Sequence, residues 1–368
     1  MSMEPMVRDF TAPKGTEPVV DLAVHSAVDL LVLLWLLEGC NPKRQDFEEY
    51  GLGADWFANL ADRLHDETKA AIRTVGCGGV WVALLGAVAE LPDGSTVDDF
   101  IGHLQAMDPI ELRARLVQMK GEDGDADLLR AAAEGDADAR DRLLDLPRFE
   151  DDEDLRDTIR ELLEIAPEET TGRIVTALRL VQKDAFAEHE AEFRSVLERD
   201  NAARQSLAQR VSVERLVELT TNGISIERGG YRKPILLVPS IVGRPWVIFT
   251  ETPEQLLMAY PVADEYMDAD PDAPPNWLIR TYKALGDEKR LRILRILARG
   301  PAALHQLADE LDTPKSTLHH HLMLLRTAGL VKVQIGVEGK DKEYELREDL
   351  VPETAAVLHG YIKNGGGR

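Results

Sequence analysis

The chain has 368 residues, 44% of them hydrophobic, and a formal net charge of -23 at pH 7, so we expect two or three domains with ordinary buried cores. The first eighteen residues contain no apolar run and include three acids, which excludes a secretory signal peptide. Cys40 and Cys77 lie on separate segments, which argues against a disulfide scaffold and favours a reducing, cytoplasmic location.

The chain is predicted to begin with a flexible arm over 1–18 and to continue as an acidic helical body over 19–222. Its first helix, predicted over 19–38, is almost entirely apolar, but charged residues interrupt every run of eighteen, so we predict no membrane span. Asp21, His25 and Asp29 recur on this helix at four-residue spacing. This pattern is typical of the polar stripe of a buried helix; the alternatives are a pocket lining or a metal site. We expect no metal, because no second helix supplies an obvious set of partner ligands.

The remaining helices of the body are predicted over 55–75, 80–91, 97–120, 128–146 and 157–219. The cluster Gly76-Cys77-Gly78-Gly79 lacks the Lys-Ser or Lys-Thr of a phosphate loop and does not follow a strand, so we interpret it as a close turn between helices. The body also lacks the sequence motifs of serine hydrolases, zinc proteases and dinucleotide-binding enzymes. We therefore expect no catalytic activity and no cofactor.

A small β-containing subdomain is predicted over 223–267, where alternating and β-branched runs indicate two to four strands, among them 224–226, 235–238 and 246–250. Residues 256–260 are predicted as a last short helix. Arg228, Arg232, Lys233 and Arg244 form a basic patch that could contact DNA or an anionic ligand. Pairing with nearby acids is the more common fate of such a patch. The acidic, proline-rich residues 268–275 indicate a hinge.

The C-terminal segment has the pattern of two short helices joined by a tight turn. A helical stretch over 277–299, interrupted near Gly286, precedes an amphipathic helix over 304–311. A second helix is predicted to begin at Thr313, as the N-cap, with Pro314 at the first helical position, and to end before Gly329. Leu318, Leu322 and Leu325 share one face of this helix, and the opposite face is short and polar. The pair predicts a helix-turn-helix, whose second helix, the recognition helix, enters the DNA major groove.

β-prone segments at 330–337 and 342–346, separated by a turn that contains Lys340, predict a hairpin, or wing, after the recognition helix. The resulting domain spans 276–350 and is followed by a helix and frayed tail over 351–368. The predicted fold class is mainly α with small β elements: a helical N-terminal body with a small sheet, and a C-terminal winged helix-turn-helix.

The strings ALGDEKRLRILRIL and LHQLADELDTPKSTLHHHLMLLRTAGLVKV resemble the winged-helix domain of ArsR-type bacterial repressors. The resemblance covers roughly 277–362, about a quarter of the chain. This sequence has His319 and Met323 where the family pattern has serine and lysine. Both positions lie on the groove-facing side, so the DNA sequence that the family reads is not transferred to this chain. The resemblance implies a transcriptional regulator, more often a repressor, that acts as a homodimer.

The predicted DNA contacts comprise residues on the polar face of the recognition helix and cations for the phosphates and the wing: Lys315, Ser316, Thr317, His319, His320, Met323, Arg326, Lys340 and Lys342. Residues 313–334 contain three cations and no acid. Residues 276–368 carry a net charge of +3, whereas the first 275 residues carry -26. Because a DNA-binding surface must neutralise phosphates, the body is predicted to dimerise, to sense an effector, or both.

We therefore predict a cytoplasmic, sequence-specific regulator that binds double-stranded DNA at an inverted repeat as a homodimer. A small-molecule effector of unknown identity is possible on this interpretation, and no membrane partner is expected. The first helix of the motif has no cysteine, so metals are not expected to release the DNA. The alternative class is a helical protein-interaction module in which DNA binding is secondary.

Overall fold

The computed structural model of the chain describes residues 19–37, 47–76, 79–117, 126–146, 149, 153–226, 233–267, 274–335, 342–348 and 350–364. Several of the predicted features lie outside these residues: the arm over 1–18, both cysteines, Arg228 and Arg232, most of the hinge, Lys340 at the tip of the wing, and the tail over 365–368.

Helices dominate the described residues, and the fold is mainly α with small sheets, as predicted. The helices are α1 (Ser26–Leu37), α2 (Ala54–Arg63), α3 (Asp66–Val75), α4 (Val80–Ala83), α5 (Leu85–Val88), α6 (Val97–Ala106), α7 (Pro109–Val117), α8 (Ala126–Glu134), α9 (Ala137–Leu144), α10 (Glu153–Glu164), α11 (Pro167–Val181), α12 (Ala187–Ala208), α13 (Val213–Thr220), α14 (Asn276–Leu285), α15 (Glu288–Leu297), α16 (Leu304–Leu311), α17 (Lys315–Thr327) and α18 (Leu350–Asn364). The strands are β1 (Val20–Leu22), β2 (Ile224–Ile226), β3 (Ile235–Ser240), β4 (Ile248–Glu251), β5 (Leu256–Pro261), β6 (Ala302–Ala303), β7 (Val331–Ile335) and β8 (Glu343–Leu346).

The chain divides into two compact units, each with its own sheet. The larger unit comprises 21–206 and 235–271, and the smaller unit comprises chiefly 207–234 and 272–368. In the larger unit α1 is buried along almost its whole length within a shell of helices, because its side chains are nearly all apolar. Among the described residues no single helix is long and apolar enough to span a membrane; only the bent combination of α3 with α4 and α5 reaches such a length.

The sheet of the larger unit has the strand order β1-β3-β5-β4, with β5 parallel to β3 and antiparallel to β4. The prediction of a helix over 256–260 is wrong, because these residues form the interior strand β5. Their side chains are buried on both faces of the sheet, and Leu, Met and Ala are common helix formers. A short run that is apolar on both faces does not distinguish a central strand from a buried helix, and pairing with β3 and β4 decides the outcome.

The smaller unit contains α13 to α18 and a sheet with the order β2-β7-β8-β6. β7 and β8 are antiparallel, as expected for a wing, and β2 adds a parallel strand to β7, pairing Ile224 with Val333 and Ile226 with Ile335. This arrangement differs from the predicted subdomain over 223–267, since β2 joins the wing sheet while 235–267 form the sheet of the larger unit. The physical reason is burial: Ile224 and Ile226 are each about 5% exposed once β2 pairs with β7.

Candidate nucleic-acid interface

The turn between α16 and α17 is built from residues with restricted backbones. Asp312 ends α16 in the left-handed conformation, with φ of 46°, and Pro314 precedes the first residue of α17, Lys315. Thr313 does not cap α17 as predicted. Its hydroxyl donates to the carbonyl of Leu311 at 3.0 Å and its N–H donates to the carbonyl of Ala308 at 3.1 Å, so Thr313 closes the preceding helix instead.

One face of α17 is buried and the start of its other face is exposed. Leu318, Leu322 and Leu325 are fully buried, which is the core face that the sequence predicts. Of the predicted contact residues on α17, those that are exposed are Lys315, Ser316, Thr317, His319 and His320, while Met323 is only partly exposed. The exposed residues thus occupy the first two turns of the helix, which is the part of a recognition helix that contacts base edges.

A groove of about 530 Å³ lies where the start of α17 faces the wing. It is lined by Leu304, His305, Lys315, His319, Lys342 and Tyr344. Partial burial and, secondarily, the nearby cation of Lys342 lower the pKa of His319. The groove therefore places Lys315 and Lys342 beside an imidazole that can accept a further proton. This combination suits a phosphate or an electron-rich base edge.

Sequence reasoning missed three of the groove residues, Leu304, His305 and Tyr344. His305 follows the first residue of α16, and the buried positions Leu307 and Ala308 on that helix already indicate that His305 points away from the core. Periodicity could therefore have predicted its exposure. The partner across the groove could not be predicted in this way, because Lys342 and Tyr344 belong to the wing.

Arg326 differs from its predicted role as a phosphate contact. It is 3% exposed, and its Nη1 donates to the backbone carbonyl of Thr221 at 3.3 Å. Burial lowers the pKa of its guanidinium to about 10. Because Thr221 and its neighbours cover Arg326, this side chain is not presented to a phosphate.

The predicted polar stripe of a single helix does not form, because Asp21 lies in β1 and His25 precedes α1, so that only Asp29 lies on the helix. The carboxylate of Asp29 accepts hydrogen bonds from the hydroxyl of Ser240 at 2.6 Å and from the N–H groups of Ile241 and Val242, each at 3.0 Å. Burial lowers the pKa of His25 to about 4. In the described part of the chain, no group of three or more His, Cys, Asp or Glu side chains is arranged to hold a metal ion.

The basic patch predicted before the hinge is only partly within the described residues. Arg244 is 2% exposed and its guanidinium forms an ion pair with the carboxylate of Asp264. Pairing with an acid was the more common fate expected for this patch. Arg244 is thereby removed from any surface that could bind DNA.

Comparison with known proteins shows which protein family the C-terminal region resembles. The family model described as "Bacterial regulatory protein, arsR family" matches residues 287–333. An uncharacterized HTH-type transcriptional regulator of Methanocaldococcus jannaschii is 41% identical over 78 residues, which cover 21% of this chain and 85% of that protein. A homolog of the cadmium resistance transcriptional regulatory protein CadC from Staphylococcus aureus is 31% identical over 88 residues, or 23% of this chain and 71% of that protein. A crystal structure of fragment 1–100 of a possible transcriptional regulatory protein from Mycobacterium bovis is 31% identical, covers 23% of this chain and 88% of that one, and has a TM-score of 0.20.

Proposed function

Because this chain belongs, through its C-terminal domain, to the arsR family of bacterial regulatory proteins, we propose that it is a sequence-specific, DNA-binding transcriptional regulator. The observation that carries this proposal is the exposure of Lys315, Ser316, Thr317, His319 and His320 on the first turns of α17, beside a groove that contains Lys342. In this proposal Lys315 and Lys342 bind phosphates, and the short polar side chains and His320 contact base edges.

The finer role that we propose is that of a cytoplasmic repressor whose N-terminal body senses an effector. The body has a large negative charge, which would repel a DNA duplex, so we assign it no DNA contact and no catalysis. A helical protein-interaction module remains the competing class. This alternative predicts that the chain has the same affinity for every duplex, scrambled duplexes included.

We further propose that two copies bind an inverted repeat with half-sites about one or two helical turns apart. Helices α14 and α18 pack against each other, and they leave Ile279, Tyr282 and Ile362 exposed. Exposed apolar side chains on two packed helices suit a self-complementary interface, in which the same patch of each copy is covered.

We do not extend cadmium sensing to this chain from the name of its relative. Helix α16 contains no cysteine, and we expect zinc, cadmium and arsenite to leave the DNA complex intact. Release by micromolar metal that is lost in Cys40→Ser or Cys77→Ser would contradict this expectation.

The central experiment is selection of bound duplexes from a random-sequence library with the full-length protein. We expect enrichment of one inverted repeat, and we expect His320→Ala to change the enriched sequence because His320 is an exposed residue of the proposed reading face. His65→Ala is the matched control, since His65 is an exposed histidine of the larger unit, to which we assign no DNA contact. No enrichment over the starting library would reject the proposal.

A further inference from the structure

Part of the chain that precedes the wing by about a hundred residues is built into the wing sheet. We use the name hook for residues 212–226, which comprise the cap residue Ser212, helix α13, a turn, and strand β2. Strand β2 pairs with β7 in parallel, and α13 packs against β2 within the same unit. The hook therefore extends the three strands β7-β8-β6 on the β7 side.

Two hydrogen bonds join the turn of the hook to the last turn of α17. Arg326 donates from Nη1 to the carbonyl of Thr221 at 3.3 Å, and Asn222 donates from Nδ2 to the carbonyl of Thr327 at 2.9 Å. The last carbonyls of a helix have no partner within the helix, and Asn222 satisfies one of them. The hook thus holds the end of the recognition helix that is farther from the exposed reading residues.

A further bond joins the hook to the wing. Val333 of β7 donates its N–H to the carbonyl of Gly223 at 2.7 Å. The recognition helix and the first strand of the wing are therefore held by adjacent residues of one turn, Asn222 and Gly223. Their relative position depends on the geometry of that turn.

The turn itself has little conformational freedom. Asn222 and Gly223 both have positive φ, 51° and 103°, and the hydroxyl of Thr221 accepts the N–H of Ile224 and donates to the carbonyl of Val217. A Cβ added at Gly223 would lie 2.9 Å from the carbonyl oxygen of Val331, so only glycine permits this close approach of β2 to β7. A turn with so little conformational freedom can fix the positions of the helix and the strand that are hydrogen-bonded to it.

We propose that the hook is a positioning element that sets the orientation of the recognition helix relative to the wing, with Asn222 and Arg326 as its positioning residues. This inference rests on the proposed DNA-binding function. Base readout needs donors and acceptors to be placed within a fraction of an ångström, whereas phosphate attraction depends mainly on charge. Loosening the hook is therefore expected to reduce sequence discrimination more than total DNA binding.

The test is the ratio of two dissociation constants of the full-length protein, one for a scrambled duplex and one for the duplex that wild-type protein selects from a random library. Asn222→Gly removes the amide but keeps a residue suited to positive φ. The substitution removes the bond to Thr327 and also the longer bond that Nη1 of Arg347 donates to Oδ1 of Asn222 at 3.4 Å. We expect the ratio to fall about fivefold, with little change for scrambled DNA. Gly223→Ala should lower the ratio further, because the added Cβ meets the backbone of β7.

Gly135→Ala is the matched control, since Gly135 has a φ of 100° and nothing within 4 Å of an added Cβ. It carries the same backbone strain at a site in the larger unit and should leave the ratio unchanged. An unchanged ratio in Asn222→Gly, or a parallel weakening on both duplexes with a lower Tm, would overturn the proposal. Equal affinity of the wild-type protein for both duplexes would reject the proposed DNA-binding function itself, and the role of the hook, which rests on that function, would be rejected with it.

Discussion

Lys315 and Arg326 carry the same charge on the same helix but have opposite environments. Lys315 is exposed in the first turn of α17, beside the groove, whereas Arg326 is buried in the last turn under Thr221. At the scale of single residues, an exposed cation can exchange water for phosphate, while a buried one that is hydrogen-bonded to a carbonyl contributes to the fold. The two positions therefore predict opposite effects of the same substitution.

Arg326→Ala should lower the free energy of unfolding of the smaller unit by about 2 kcal/mol, because the carbonyl of Thr221 loses its buried partner. It should leave the salt dependence of DNA binding unchanged. Lys315→Ala should have the reverse effect. We expect little change in Tm, and we expect the slope of the logarithm of the DNA-binding constant against the logarithm of the salt concentration to become smaller in magnitude by about 1. Chemical denaturation and salt-dependent fluorescence anisotropy of both variants measure this crossed pattern. A shallower slope with normal stability for Arg326→Ala would return Arg326 to the phosphate contacts.

We expect His319 to make DNA binding depend on pH, with a sign that follows from its position beside the groove. Partial burial and neighbouring cations lower its pKa in the free protein, so it is mostly neutral at pH 7 and gains a proton as the pH falls. In the proposed complex the added positive charge would lie beside phosphates, so binding should strengthen from pH 8 to pH 6, chiefly at the acidic end. His319→Gln should weaken this trend, whereas His65→Gln, in the larger unit, should retain it. Equal pH dependence in wild type and His319→Gln would contradict the assignment.

At the scale of elements, exposed apolar side chains mark one candidate for the proposed dimer interface in each unit. Ile279 is 38% and Ile362 is 65% exposed, on helices of the smaller unit that pack together. In the larger unit, Phe249 on strand β4 is 54% exposed. A dimer through the C-terminal helices would cover the first two residues, and a dimer through the body sheet would cover the third.

Ile279→Glu should convert the proposed dimer to a monomer and weaken DNA binding, because a carboxylate in an apolar interface loses its hydration without gaining a partner. Phe249→Glu introduces the same charge on the other unit and should leave the dimer intact. Light scattering with both variants measures the mass directly. Dissociation by Phe249→Glu alone would place the interface on the body instead.

At the scale of the whole molecule, the boundary between the two parts of the protein drawn by net charge differs from the boundary drawn by packing. The division by charge falls near the hinge, with -26 before residue 276 and +3 after it. The division by packing places 207–234 with the C-terminal unit, so that the chain passes through that unit, returns to the larger unit at 235–271, and enters the smaller unit again. A fragment cut at the hinge would therefore lack the hook, with Thr221 and strand β2.

Two fragments separate the contributions of charge and of the hook. One is 274–368, and the other joins 207–226 to it through a flexible linker of about 20 residues. The added segment has two Arg and two Glu, so both fragments carry +3. We expect the fragment with the hook to melt several degrees higher, and both to bind scrambled DNA at low salt more tightly than the full-length protein, which retains the acidic body. Identical melting temperatures would show that the hook is dispensable for folding.

The sequence by itself determined the features that depend on neighbouring residues. The three- and four-residue spacing of Leu318, Leu322 and Leu325 identifies the core face of α17, and the β-branched run after Gly329 identifies a wing strand. The exposure of Ser316 and His320 follows from that same spacing, because both lie on the opposite face of the helix. For this quarter of the chain the family resemblance and the periodicity led to the same fold.

Only the tertiary structure decided which residues those elements meet. Arg326 and Lys315 are indistinguishable as cations in the sequence, and Thr221, 105 residues away from Arg326, determines that one of them is buried. β5 is a strand, against its local propensity, because β3 and β4 flank it, and β2 leaves its sequence neighbours to pair with β7. Periodicity reports which face of an element is apolar, but the partner that covers that face is set by packing across the whole chain. Strand pairing between distant segments leaves no local signal in either segment.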